Sequence, residues 1–361
     1  MHRTFLRLRR QHPLTVRVLA LAGETTAPGW SEEDGIPVRR LAARVGYVAA
    51  LRSAAAHLWG ERAGGFDLVY CVTTGRVVYA AGVWARLLRR PLVVEFVNNN
   101  IEETPYRRLM AGRLARSAAL TIAISRPIFN QFRRLGVPEG RIWLRPNPVD
   151  TGRFRLPGAE ERAASRRRFG IRDDTILHVL IGALSRRKNH EVGVGAIERL
   201  PPPHRLIVAG PVLPGEEAYA AALAARIGAS PAGERVSLIT GFVPDIEQLM
   251  YAADCLWMPS LEEVLGNVML EALCCGVPCI ISDRLGLDEH ISDGRNGIKA
   301  APAAAAWTAA ARSITGLITD GAQRRALAER AGAAYDFRAI DAELLRRLQR
   351  VVGRDADPGQ A

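Results

Sequence analysis

Short runs of apolar and β-branched residues alternate along the whole chain with longer stretches of helical period. In the first half, Val16–Leu21, Asp67–Val72, Leu92–Val97, Leu120–Ile124 and Ile142–Arg145 read as strands. In the second half, Ile176–Ile181, Arg205–Ala209, Val236–Thr240, Cys255–Met258 and Pro278–Ser282 do the same. Runs so continuously apolar suit strands buried on both faces, as in a parallel sheet between helix layers. Two sets of them predict an α/β protein with two doubly wound layers. Between the sets, Pro146-Asn147-Pro148-Val149-Asp150 cannot be helical. The expected division is therefore an N-terminal domain over 1–150, a second over 151–335, and a C-terminal helix with a frayed tail over 336–361.

Length agrees with this. At about 150 residues per domain, 361 residues make two. No apolar run approaches the roughly 18 residues of a membrane-spanning helix. The start, MHRTFLRLRR followed by LTVRVLALAG, has the charge and apolarity of a secretion signal, but Arg17 interrupts the apolar stretch. It reads as a basic helix followed by a strand, with no targeting signal. The cysteines, Cys71, Cys255, Cys274, Cys275 and Cys279, are odd in number and form no CxxC pair, which suits buried thiols in a reducing compartment.

Charge changes the picture. Residues 1–150 hold 23 Arg against 11 acidic residues, whereas residues 151–361 hold 26 basic and 26 acidic residues. The whole excess of +12 thus lies in the first part, and the only lysines of the chain are Lys188 and Lys299. Such asymmetry implies either a compositional bias toward Arg or an anionic partner: lipid headgroups, a phosphorylated substrate or nucleic acid. Nucleic acid is the weaker choice, because few aromatic residues interleave the arginines. A peripheral contact with an anionic membrane is expected through Arg3, Arg7, Arg9 and Arg10 with Phe5 and Leu6.

Candidate chemistry concentrates in Met258–Asp283, MPSLEEVLGNVMLEALCCGVPCIISD. A strand ends near Met258, a loop carries Glu262 and Glu263, and Gly266 opens a helix beginning Asn267-Val268-Met269. That helix carries Glu271 and stops at Gly276 before Pro278 starts another strand. Glycine at a helix start lets a ligand reach free N–H groups, where the helix dipole favours a phosphate or diphosphate. Glu263 before that cradle and Glu271 eight residues later could accept hydrogen bonds from hydroxyls on either side of a diphosphate. A nucleotide sugar has this layout. No GxGxxG follows a strand, since Gly193-Val194-Gly195 lies inside a helical pattern, so a dinucleotide cofactor is not expected.

The block resembles the nucleotide-sugar site of retaining GT-B glycosyltransferases of the glycosyl transferases group 1 family. Further matching stretches are Ile181-Gly182-Ala183-Leu184-Ser185-Arg186-Arg187-Lys188-Asn189, Leu206–Gly210, Gly241-Phe242-Val243-Pro244-Asp245, Asp288–Ile291 with Asp293–Gly297, and Asn147-Pro148-Val149-Asp150 with Phe154. The resemblance implies two Rossmann-like domains facing across a cleft. It implies that Lys188, assisted by Arg186 or Arg187, neutralises the leaving diphosphate together with the amides of Gly266, Asn267 and Val268. Glu263 would hold the donor sugar, Glu271 the ribose, and Gly241, Phe242 and Val243 the base, with Gly182 beside the phosphates. Lys188 and Glu263 are the expected catalytic residues; no metal site and no cofactor are implied. The reaction implied is retaining transfer from a UDP- or GDP-sugar to a glycan or lipid-linked acceptor, in cell-surface polysaccharide or glycolipid synthesis on the cytoplasmic side.

Three positions depart from the family pattern. Ala183 stands where members often carry Arg. The chain begins in a helix, Thr4–Gln11, where the family has a preceding strand and Gly-rich loop. The stretch Glu95-Phe96-Val97-Asn98-Asn99-Asn100 has no histidine where many members place one near the reaction centre. These departures motivate an alternative, a non-catalytic member that binds a nucleotide sugar or supports a partner subunit. Asp355-Ala356-Asp357 spells DxD, but in a frayed tail no metal role is expected of it.

Overall fold

The computed structural model describes residues 2–21, 28–41, 46–60, 65–73, 75–97, 104–287 and 289–353. They form two compact units, one from Met1–Pro146 and Arg338–Ala361 and the other from Asn147–Phe337. The tail motif at 355–357 and Asn98–Asn100 lie outside the described residues.

The first unit runs α1 (His2–Gln11), β1 (Val18–Leu21), β2 (Gly29–Glu33), β3 (Ile36–Leu41), α2 (Tyr47–Gly60), β4 (Val69–Val72), α3 (Arg76–Leu87), β5 (Leu92–Phe96), α4 (Pro105–Ser117), β6 (Leu120–Ala123), α5 (Arg126–Arg134) and β7 (Ile142–Leu144). Its described strands make two sheets: a parallel one in the order β4-β5-β6-β7, and a smaller one in the order β1-β3-β2. The β2–β3 hairpin was not among the expected strands. It turns on Asp34-Gly35, whose positive φ angles of 51° and 75° match the twist of a tight hairpin. The Asp-Gly pair was the signal for it.

The second unit runs α6 (Ala159–Arg168), β8 (Ile176–Ile181), α7 (His190–Ile197), β9 (His204–Gly210), α8 (Glu217–Ala229), β10 (Val236–Thr240), α9 (Ile246–Ala252), β11 (Cys255–Met258), α10 (Asn267–Cys274), β12 (Cys279–Ser282), β13 (Gly297–Ala300), α11 (Ala304–Ser313), α12 (Thr315–Thr319) and α13 (Gly321–Tyr335). Its six strands are all parallel, in the order β10-β9-β8-β11-β12-β13. Strand β13 was not expected. Trp257 and Trp307 anchor the core edge to face, with ring centroids 5.8 Å apart. At the opposite edge from the strand C-termini, buried Asp254 accepts from Arg162, from Arg166 at 3.1 Å and from the Leu177 amide at 2.8 Å, tying α6 to the sheet.

The last helix, α14 (Phe337–Val351), returns to the first unit. Leu344 and Leu348 pack with Leu8 of α1 against Val93, Leu120 and Ile122 of the four-stranded sheet. Arg7 Nε donates to Asp341 Oδ2 at 2.6 Å, and the Phe5 ring meets Tyr70 edge-on at 5.2 Å. The apolar face of α1, expected to meet a membrane, is thus largely spent inside the unit. Among the described residues no helix is long and apolar enough to cross a membrane.

All five cysteines are free and buried. Burial raises the Cys71 and Cys274 thiols to about 12, so both stay protonated and unreactive.

Candidate functional site

Three neighbouring strands of the six-stranded sheet reach glycines at their C-terminal ends. Gly182, Gly210 and Gly241 follow or end the adjacent strands β8, β9 and β10, linked by Gly182 N–H to Ala209 O at 2.9 Å and Gly241 N–H to Gly210 O at 3.0 Å. A Cβ on Gly210 would stand 1.9 Å from the Gly182 oxygen, so only glycine lets the two turns come together.

Two loops meet beside this backbone shelf because β8 and β11 are neighbours. After β8, a turn of 3-10 helix at Arg186–Lys188 ends on Asn189 in left-handed conformation and directs Lys188 back over Gly182. A Cβ on Gly182 would stand 3.2 Å from Lys188 Cε. After β11, the loop through Glu262 and Glu263 leads to α10. Lys188 Nζ donates to Glu263 Oε2 at 2.5 Å. Arg187 donates to the Glu262 carbonyl at 2.7 Å and lies 3.4 Å from Glu263 Oε2, while Leu261 N–H donates to Arg187 O at 2.8 Å. Lys188 and Glu263 are largely buried; Arg187 is exposed.

Gly266 caps α10 at φ 74°, where a Cβ would meet Met258 Sδ at 2.8 Å. The conformation leaves the first amides of α10, at Asn267 and Val268, unblocked by a capping side chain. Asn267 is exposed, Val268 and Glu271 half-buried. On the far side, the loop after β10 holds out Phe242 at 82% exposure, with Val243 half-buried behind it. The expected site residues therefore stand in the loops at one edge of one sheet or on α10, which starts there.

Comparisons with known proteins place the chain in a family. Residues 161–333 match the model of glycosyl transferases group 1, and residues 2–148 match that of the glycosyl transferase 4-like domain. The chain belongs to the glycosyltransferases, its second unit to group 1. It is 33% identical over 141 residues to a D-inositol 3-phosphate glycosyltransferase of Mycobacteroides abscessus, covering 38% of this chain and 31% of that protein. A protein of the same name from Kribbella flavida is 33% identical over 218 residues, 56% of this chain and 49% of that one. The match therefore spans from under a third to about half of the length of these relatives. Among solved structures, Anabaena Alr3699/HepE in complex with UDP superposes with a TM-score of 0.80 at 20% identity, over 93% of this chain and all of that one, and the same protein has been crystallised with UDP-glucose. That likeness shows a shared GT-B fold.

The glycosyltransferase chain also holds features that the sequence did not flag as functional. Gly210 closes the shelf. Asn147 Nδ2 donates to Asn267 Oδ1 at 2.7 Å, tying the first residue of the second unit to the first of α10. The hydroxyls of Ser185 and Ser260, in the Lys188 and Glu263 loops, are buried without a partner among the described residues. Both Asn147 and Gly210 lay in stretches that match the family pattern, but without a role assigned to either residue.

His190, which opens α7 beside this edge, is buried against the Tyr219 hydroxyl at 3.1 Å. Burial lowers it to about 4, so it is neutral at pH 7 and serves as packing, not as a proton donor. Burial likewise lowers His290, bonded to Tyr335, to about 4.

Proposed function

We propose that this glycosyltransferase moves a sugar from a nucleoside-diphosphate sugar to a glycan or lipid-linked acceptor, retaining the anomeric configuration and using no metal. What carries the reading is the convergence of Lys188, Glu263 and the open start of α10 at one sheet edge. Charge builds on the diphosphate as the C1–O bond to phosphate breaks. An ammonium and a helix N-terminus placed there beforehand stabilise that charge without reorganising. The ammonium of Lys188 has three N–H donors, so it can keep Glu263 and still reach phosphate oxygens. The acceptor hydroxyl would bond to C1 on the same face, passing its proton to the leaving phosphate oxygen.

In this reading Glu263, steered by Lys188 and Arg187, binds sugar hydroxyls, and Glu271 binds the ribose. The Gly241–Val243 loop takes the base, with Phe242 as an exposed ring for stacking. The UDP held by the Anabaena neighbour favours a uridine over a guanosine nucleotide. The basic first unit, with the sugar acceptor on its side, suits work at the cytoplasmic face of a membrane in surface-glycan synthesis.

Calorimetry with UDP, GDP and their sugars tests the reading on the wild type, Glu271→Ala and Lys188→Ala. Micromolar UDP binding lost in Glu271→Ala is expected, with NMR of the product showing retained configuration. Absence of binding to any nucleotide overturns the proposal, and an inverted product overturns its stereochemistry.

A further inference from the structure

Helices α3 and α4 lie side by side in the first unit, where Gly82 lets Leu114 approach so closely that a Cβ would stand 2.3 Å from its Cδ1. Their inner positions, including Ala80, Ala85, Ala111 and Ala115, are buried. Their outer faces follow helical spacing: Val83, Arg86 and Leu87 on α3, and Tyr106, Leu109, Arg113 and Arg116 on α4, all exposed. Neither 75–94 nor 104–138 contains a single acidic residue. Val83, Leu87, Tyr106 and Leu109 are four of the nine large hydrophobic side chains exposed among the described residues. Large apolar groups and arginines thus share one surface.

Two clefts open on these helices. One of about 270 Å³ is rimmed by Arg86, Arg90 and Ser117. The other, about 460 Å³, has Arg108, Arg116 and Arg134 around Pro105, Leu109 and Leu135. Arginine above an apolar floor fits a phosphate attached to a hydrocarbon.

We propose that the outer face of α3 and α4 docks on an anionic lipid bilayer. Leu87, Tyr106 and Leu109 enter the headgroup–acyl boundary while the surrounding arginines, including those of the clefts, hold headgroup phosphates. A nucleic acid would use the charge but leave three aliphatic side chains without a role, since single strands stack on aromatic rings and Tyr106 is the only one on this face. The docking surface does not depend on the glycosyl-transfer reading. It also places the contact elsewhere than α1, whose Phe5 and Arg7 are engaged within the unit.

Co-sedimentation of the full chain with phosphatidylglycerol/phosphatidylcholine vesicles and with phosphatidylcholine alone tests this. Binding to the anionic vesicles alone, weakened by salt, is expected. Arg108→Glu with Arg113→Glu lowers it at least about tenfold, from the loss and reversal of two surface charges. Leu87→Asn with Leu109→Asn lowers it severalfold. Arg113→Gln gives a smaller loss and covers the case in which the reversal variant does not fold, while Arg10→Glu on α1 and Leu213→Asn in the second unit leave binding unchanged. Circular dichroism confirms the fold of each variant. Equal binding to neutral vesicles, indifference to the α3 and α4 substitutions, or sensitivity to Arg10→Glu alone overturns the proposal. So does tight binding of single-stranded DNA that needs the arginines but not Leu87 and Leu109.

Discussion

Lys188 Nζ lies 2.5 Å from Glu263 Oε2, although the two residues are 75 positions apart in the chain. Side-chain exposures of 12% and 13% separate this pair from surface ion pairs, which contribute at most about 1 kcal/mol. The pair locks the loop after β8 to the loop after β11, and so sets the distance between the cation and the start of α10. Lys188→Ala is expected to lower turnover by about 10²–10³-fold. Glu263→Gln, which keeps the shape but loses the charge, is expected to lower turnover and leave nucleotide affinity nearly unchanged. Steady-state kinetics with titration of UDP separate the two effects; a Lys188→Ala variant with normal turnover removes the lysine from the chemistry.

Gly210 and Gly228 give a paired test of the shelf. A Cβ at Gly210 collides with the Gly182 oxygen, whereas at Gly228, inside α8, it meets nothing within 4 Å. Gly210→Ala is expected to destabilise the protein by about 2 kcal/mol or more through backbone displacement. Gly228→Ala should stabilise it by about 0.5–1 kcal/mol, the helix-propensity gain. Urea unfolding of both variants reads the contrast, and equal stabilities would contradict the close approach of the two turns.

Phe242 is 82% exposed, so its ring contributes little to the fold. If it stacks on the nucleotide base, Phe242→Ala is expected to weaken UDP binding about tenfold, from about 1–3 kcal/mol of stacking, at unchanged melting temperature. Phe242→Tyr should bind as the wild type does. An unchanged affinity in Phe242→Ala would show that the base lies elsewhere on the edge.

Acid is expected to weaken the second unit. His190 and His290 titrate near 4 in the folded state against 6.5 in the open chain, both because burial disfavours the charged ring. Between these values the unfolded chain binds protons that the folded one does not, so stability is full above pH 6.5 and declines as pH falls toward 4. Each histidine accounts for about 3 kcal/mol across that window. His178, stacked on Trp257 and bonded to His204 at 2.8 Å, shifts in the same direction through burial. Urea midpoints measured from pH 7 to pH 4.5 should fall steadily, and His290→Asn should flatten the curve.

Much of the second unit was legible in the sequence. Its central strands β8, β9, β11 and β12 are largely apolar runs, because both faces of a parallel sheet are covered, and such runs are hard to mistake. The glycine opening α10 and the carboxylates beside it follow one another within one loop, so local order alone brings them together. The first unit was less legible. Strands β2 and β3 include Ser31, Glu32, Glu33 and two arginines, and only the Asp34-Gly35 turn marks them. The role of α1 was missed for a different reason: helical spacing shows an apolar face but not what covers it, and here Tyr70, Leu344 and Leu348 do.

By itself the sequence determined the alternation of strand and helix, the parallel sheets it demands, and the glycine-opened start of α10, because these depend on period, glycine and short-range order. Only the tertiary structure decided that Lys188 faces Glu263, that Gly210 must be bare for Gly182 to approach, and that α14 returns to cover α1. Those relations depend on which strands become neighbours. Strand neighbourhood is set by burial summed over the whole sheet, which no single stretch of residues encodes.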